Sequence, residues 1–167
     1  MLESTSKMSY YDTLVDKHSM DFGLERALVH AIIQVESRGM DWAVRYEPNM
    51  KWLYALDKAQ EFADLCDVSL DTELMCQRTS WGLMQVMGVT ARDLGLRDPI
   101  PSLLSPDVGI LYGCKLLRKL SDKFVLQSDV ISAYNAGTPK KNNNFYSNQN
   151  YVNKVSAFYQ NYLRVGL

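Results

Sequence analysis

"LERALVHAIIQVESRG", residues 24–39, carries the strongest periodic signal in the chain. Leu24, Ala27, Leu28, Ala31, Ile32 and Val35 recur at steps of three and four, the spacing of one apolar helix face. Gly39 supplies a residue able to take the left-handed conformation that closes a helix. Glu36 therefore falls in the last turn, beside the buried stripe. That position poses a question, because the helix macrodipole puts partial negative charge at the C-terminal end and favours cations there. A solvent-facing glutamate answers it cheaply. A carboxyl that must keep its proton answers it too: apolar burial and the helix C-terminus both disfavour the charged form.

The rest of the chain repeats the helical pattern on both sides. Tyr10, Tyr11, Leu14, Val15 and His18 predict a short first helix with one apolar side. Leu53, Leu56, Ala59, Ala63 and Cys66 predict a helix over residues 50–66, and a short one follows over residues 71–77. "SWGLMQVMGVTARDLGL" (residues 80–96) contains three glycines that cut it into small helical pieces joined by turns. "LSPDVGILYGCKLLRKL" (residues 104–120) opens with Ser105 as N-cap, Pro106 at the first helical position and Asp107 in the first turn. Its stripe runs Val108, Leu111, Cys114 or Lys115, then Leu117 or Arg118. "SDVISAYNAG" (residues 128–137) predicts a helix capped by Ser128 and closed by Gly137. The asparagine-rich stretch at residues 140–150 reads as a loop. Tyr151, Val152, Val155, Phe158, Tyr159, Tyr162 and Leu163 form a last amphipathic helix. Only "AVRYEP" (residues 43–48) alternates as a strand or extended turn would. The expected fold is mainly α, with roughly seven or eight helices and at most a very small β element.

Composition narrows the functional classes. The 167 residues suit a single domain spanning 1–167, without repeat or long linker. A formal net charge of −1, a sequence pI of about 6.1 and the lack of a long basic run argue against nucleic acid as a partner. Lys140-Lys141 reads as part of a solvated loop. The three cysteines, Cys66, Cys76 and Cys114, match no zinc spacing, and His18 and His30 are isolated. We expect reduced thiols, no metal and no cofactor. The N-terminus lacks an apolar signal core, and no window of about 20 apolar residues is present to span a membrane. Synthesis in the cytoplasm without a signal peptide is the expectation.

Three short motifs carry candidate chemistry, each with an ordinary structural alternative. A protonated Glu36 could donate a proton to a leaving glycosidic oxygen. In "SWGLMQVM" (residues 80–87), Gln85 could hydrogen-bond a sugar, with Met87 or Trp81 as an apolar wall; the alternative is ordinary core. In "AYNAG" (residues 133–137), the Tyr134 hydroxyl could orient a lone catalytic carboxyl; the alternative is a buried tyrosine before a helix cap.

Taken in order, Glu36-Ser37, Gly82-Leu83-Met84-Gln85 and Ala133-Tyr134-Asn135-Ala136-Gly137 resemble the soluble lytic transglycosylase (SLT) family. "MGVTA" (residues 87–91), the residue 105–117 helix and "YVNKV" (residues 151–155) add to the resemblance, which spans residues 20–160. The sequence departs from the family pattern in three places. The stretch between Glu36 and Gly82 is longer than in the simplest members. Gly137-Thr138-Pro139 stands where a glycine-proline-glycine run is common, and Ser147 stands where a glutamate is often found. The resemblance implies a goose-lysozyme-like helical domain that cleaves the MurNAc-β-1,4-GlcNAc bond of peptidoglycan without water, leaving 1,6-anhydro-MurNAc ends. It assigns Glu36 as the single acid and base. Tyr134 would orient it, and Ser37, Gln85, Met87, Ala133 and Asn135 would line the glycan groove. Asp41 or Glu47 as a second carboxylate would make the chain a hydrolytic goose-type muramidase. A non-catalytic peptidoglycan-binding or virion structural role is the remaining alternative. A monomer acting on the cell wall after phage-mediated release, or on a virion, would fit these expectations.

Overall fold

The computed structural model describes residues 3–51 and 53–166, with side chains from residue 11 onward; the Tyr10 side chain lies outside the described residues. Eight α-helices and five very short strands follow one another among these residues. They cluster into two compact units: Met1–Arg38 with Cys114–Leu167, and Gly39–Gly113. The mainly helical expectation holds.

In the first unit, α1 (Glu3–Asp21) and α8 (Gln149–Arg164) both pack on α2 (Arg26–Glu36). The periodic stripe of α2 is buried as expected at Ala27, Leu28, Ala31 and Ile32, and Val29 and Ile33 are buried as well. A helix apolar over so wide an arc suits a central position rather than a surface one. α1 is longer than predicted, contributing Tyr11, Val15 and His18 to this core. α6 (Pro106–Lys123) starts at Pro106 as expected, and its buried residues within the first unit are Cys114, Leu117 and Leu120. Cys114 and Leu117 belong to the expected stripe, whereas Val108 and Leu111 at its start are half-exposed. α7 (Gln127–Ala136) closes on left-handed Gly137, as read from the sequence.

Two local expectations in this unit are corrected. Ser128 is not the cap of α7. The N-cap is Leu126, and the Ser128 hydroxyl is instead hydrogen-bonded with the Tyr146 hydroxyl at 2.8 Å. The asparagine-rich stretch is not a plain loop but a hairpin, β4 (Lys141–Asn142) against β5 (Phe145–Tyr146). Its turn residues Asn143 and Asn144 have φ of 48° and 65°, the left-handed pair that a two-residue hairpin turn requires and asparagine tolerates.

The hairpin is tied to α7 by charge. Tyr146 donates to Asp129 at 2.6 Å, and the Lys141 ammonium lies 2.8 Å from the same carboxylate. Hydrogen bonds from Lys141 and Tyr146 lower the Asp129 pKa, and the bond to Asp129 raises that of Lys141. The signs set a pH window. The Asp129 contribution is complete above the ordinary carboxylate pKa and lost as pH falls through the depressed folded value. The Lys141 contribution is complete below the ordinary lysine pKa and lost as pH rises through the raised one. Amide hydrogen exchange corrected for intrinsic rate should therefore show hairpin protection flat across neutral pH and falling at both extremes. Asp129→Asn should remove the acid limb, and an unchanged acid limb in that variant would refute the assignment.

In the second unit, β1 (Val44–Tyr46), β2 (Thr79–Trp81) and β3 (Val86–Met87) form an antiparallel sheet in that order. This replaces the first of the glycine-cut helical pieces expected over residues 80–96; helix begins only with α5 (Gly88–Asp93). Pairing with β1, far away in sequence, overrides what local glycine content suggests. The four residues joining β2 to β3 are Gly82-Leu83-Met84-Gln85. Leu83 and Met84 are buried core, while Gly82 has φ of 68° and a Cβ there would sit 2.4 Å from the Leu103 carbonyl oxygen. The glycine is required both by backbone conformation and by close approach.

α3 (Leu56–Leu65) begins six residues later than the expected start at Met50. The preceding backbone is held elsewhere: the Tyr54 N–H bonds the Gln77 side-chain oxygen at 3.3 Å, and its hydroxyl bonds Asp93. α4 (Leu70–Gln77) matches the predicted short helix and is capped by Ser69. Between α4 and α5 lies a buried ion pair that no sequence pattern announces. Arg92 grips Glu73 with Nε at 2.9 Å and Nη2 at 2.8 Å, and both side chains are almost wholly buried.

Candidate functional site

Glu36 is the last residue of α2, and Ser37 is its C-cap with φ of −128°. The Ser37 N–H and its hydroxyl both reach back to the Ile33 carbonyl, at 3.0 and 3.2 Å. The backbone then turns sharply through left-handed Arg38 and Gly39, with φ of 55° and 77°. The chain thus leaves the helix immediately after Glu36, whose half-buried side chain stays with the first unit.

The decisive neighbour comes from α8. The Tyr151 hydroxyl donates to Glu36 Oε1 at 2.6 Å across 115 residues of sequence. Burial first, then the Glu36 charge and this hydrogen bond, push the Tyr151 pKa far above its ordinary value. Tyr134, from the last turn of α7, is raised for the same leading reason, with the Glu36 charge next and Cys114 after it. Part of the Tyr134 surface remains open while its hydroxyl is desolvated. Two tyrosines that keep their protons therefore feel the charge of one carboxyl, and Tyr151 bonds it. Protonated tyrosines can donate, as Tyr151 does here, but cannot act as bases toward the carboxyl. Cys114 is fully buried and its thiol is pushed up to about 12, chiefly by burial, which leaves it unreactive.

The structure gathers Glu36, Ser37, Ala133, Tyr134 and Asn135 in the first unit. Ala133 is buried, and exposed Asn135 accepts a hydrogen bond from Asn148 at 3.0 Å. Gln85 and Met87 belong to the second unit. The Gln85 amide nitrogen donates to the carbonyls of Ala43 and Gly82 at 3.0 and 2.9 Å, and its oxygen accepts from Ser80 at 3.0 Å. These bonds hold its left-handed backbone, φ 47°, within the β2–β3 connection. Met87 is half-buried on β3.

Tyr151 is the residue the sequence reading missed as a site residue. It was visible twice, in "YVNKV" and on the apolar face of α8, but a tyrosine on such a face reads as core. Only the packing of α8 on α2 brings its hydroxyl to Glu36.

No solved structure matches the chain. Among the described residues, no helix is long and apolar enough to cross a membrane. The family model described as "Transglycosylase SLT domain" matches residues 13–156, a span that includes Glu36, the Gly82–Gln85 turn, Tyr134 and Tyr151. The chain belongs to the SLT transglycosylase domain family, whose function at family level is lytic-transglycosylase-type action on peptidoglycan.

Proposed function

We propose that the chain is a lytic transglycosylase in which Glu36 serves in turn as acid and base. The observation that carries this reading is the 2.6 Å hydrogen bond from Tyr151 to a half-buried carboxyl at a helix C-terminus. With Oε1 engaged as an acceptor, the carboxyl proton resides on Oε2, from which it passes to the glycosidic oxygen between MurNAc and GlcNAc. The C1–O bond breaks, and the acetamido carbonyl oxygen of the same MurNAc bonds to C1 and carries the positive charge. The Glu36 carboxylate then removes the proton from the C6 hydroxyl. O6 displaces the acetamido oxygen from C1, closing the 1,6-anhydro ring and leaving Glu36 protonated for another turn. No water is consumed. The intramolecular hydroxyl supplies the high effective concentration that an external nucleophile would need a second carboxylate to match. The site of action is the cell wall.

Mass spectrometry of muropeptides from purified peptidoglycan tests the reading. Products with 1,6-anhydro ends, formed by the wild type and absent with Glu36→Gln, are expected. Reducing ends, heavier by one water, would instead make the chain a hydrolase. The second carboxylate would then be sought at Asp41 or at Glu47, whose oxygen is bonded by Arg45 at 2.5 Å. Wall binding without cleavage would make it a binding module.

Tyr151 has its own expected effect. Tyr151→Phe keeps the ring in the core and removes only the hydroxyl. Stability should change by about 0.5–3 kcal/mol, the range for losing one hydrogen bond, more if its partner is charged. The turnover rate should fall about 10–100-fold, the equivalent of about 1.4–2.7 kcal/mol in barrier height. An unchanged rate would separate the hydrogen bond from catalysis.

A further inference from the structure

Asn148 is the N-cap residue of α8, a position where asparagine ordinarily bonds the exposed N–H groups of its own helix. Here its side chain makes no capping bond. All its bonds found in the structure go instead to α7. Its Nδ2 donates to the Ser132 carbonyl at 3.0 Å and to Asn135 Oδ1 at 3.0 Å, and its Oδ1 accepts from the Ser132 hydroxyl at 2.7 Å. Ser132 is fully buried. Helix-capping bonds are thus absent in favour of a three-bond clamp between two helices.

The placement of that clamp is what gives it meaning. Ser132 and Asn135 bracket Tyr134 on α7, and Asn148 stands three residues before Tyr151 on α8. Both tyrosines feel the Glu36 charge, and Tyr151 bonds the carboxyl directly. Oriented hydrogen bonds resist sliding along a helix axis more sharply than side-chain packing does, and these three lie at the end of the α7–α8 seam nearest the two tyrosines. We propose that Asn148 is a positioning residue: it fixes the start of α8 against the end of α7 so that the Tyr151 hydroxyl meets Glu36. The inference rests on the reading of Glu36 as the acid and base, and it adds a residue to that site.

Two variants separate positioning from stability. Asn148→Asp keeps the size, keeps an acceptor for the Ser132 hydroxyl and is a favourable N-cap, so a role limited to capping α8 would tolerate it. It removes both donor bonds and turns a carboxylate oxygen toward two acceptor oxygens. Asn148→Ala removes all three bonds. Both should lower kcat about 10-fold or more with KM changed less than about threefold, the signature of an interaction used in the transition state rather than in binding. In a Tyr151→Phe background the same substitutions should lower kcat less than about threefold, because residues acting through one hydrogen bond are not additive. Equal losses in both backgrounds, or an unchanged kcat in Asn148→Asp, would overturn the proposal.

A second readout does not depend on activity. The buried Tyr151 hydroxyl proton should give a slowly exchanging NMR resonance that vanishes in Tyr151→Phe. It should broaden or move in both Asn148 variants, and an unmoved resonance would overturn the clamp. If Glu36→Gln kept full activity, the acid–base reading would fail, while this resonance would still decide whether Asn148 places Tyr151.

Discussion

Glu36→Gln should lower the initial rate of peptidoglycan cleavage at least about 10²–10⁴-fold, the range that general acid–base catalysis supplies. The substitution is nearly isosteric. The amide oxygen of Gln can still accept the Tyr151 hydrogen bond, so the contact between α2 and α8 survives. What it cannot do is give a proton to the leaving oxygen or take one from the C6 hydroxyl. The loss should therefore appear in kcat, with substrate affinity and thermal midpoint close to wild type. Turbidity loss of purified peptidoglycan gives the rate, and a co-sedimentation assay gives wall binding. A variant retaining more than about a tenth of the wild-type rate would rule out Glu36 as the general acid. Asp41→Asn and Glu47→Gln are the companion measurements. A single-carboxyl mechanism predicts small effects from both, whereas hydrolysis would make one of them nearly as damaging as Glu36→Gln.

The second large effect concerns stability and lies in the other unit. Glu73→Ala should destabilise the protein by about 3–5 kcal/mol, because it leaves the Arg92 guanidinium buried without its counter-charge. Arg92 is held by more than the salt bridge: its Nη1 bonds the carbonyls of Leu96 and Asp98 at 2.9 and 2.8 Å, and the Phe62 ring lies 4.6 Å from its centre. Gln77 adds a bond to Glu73 at 3.0 Å. The bond to Glu73 raises the Arg92 pKa although burial opposes it, so the guanidinium stays charged and cannot escape the penalty by releasing a proton. For a protein of this length the expected fall in thermal midpoint is roughly 6–20 °C. Arg92→Met alone should be comparably harmful, since it strands a buried carboxylate. Glu73→Leu with Arg92→Met should be markedly less harmful than the sum of the two, because replacing a whole buried pair by apolar groups removes its desolvation cost as well. Strict additivity in calorimetry would count against a coupled buried pair.

These two sites differ in how far they could be read from residues alone. The α2 stripe, the Gly39 turn and the position of Glu36 are local properties, because helix periodicity and turn conformation are set within a few residues. The same holds for Pro106 opening α6 and Gly137 closing α7. The motif order that marks the family is also a property of the linear chain. Where local signals failed, a distant partner had decided the outcome. Residues 79–87 are a hairpin because β1 pairs with β2. Ser128 is not a cap because Tyr146 claims its hydroxyl. Helix α3 begins only at Leu56, after Tyr54, which Gln77 and Asp93 hold.

The site divides along the same line. Glu36 and Tyr134 could be named from sequence, since one sits where a helix disfavours a negative charge and both stand within family motifs. Tyr151 could not be given its role, because its apolar neighbours on α8 make it indistinguishable from core until α8 is laid against α2. The Glu73–Arg92 pair was hidden for a related reason: a glutamate and an arginine on two short helices read as surface charges. By itself, the sequence determined the buried stripe of α2, the turns at Gly39 and Gly137 and the motif order that marks the family, because those follow from short-range periodicity and motif. Only the tertiary structure decided which hydroxyl meets the Glu36 carboxyl and which charges are buried, because contacts across 115 residues and the exclusion of water exist only once the chain has folded.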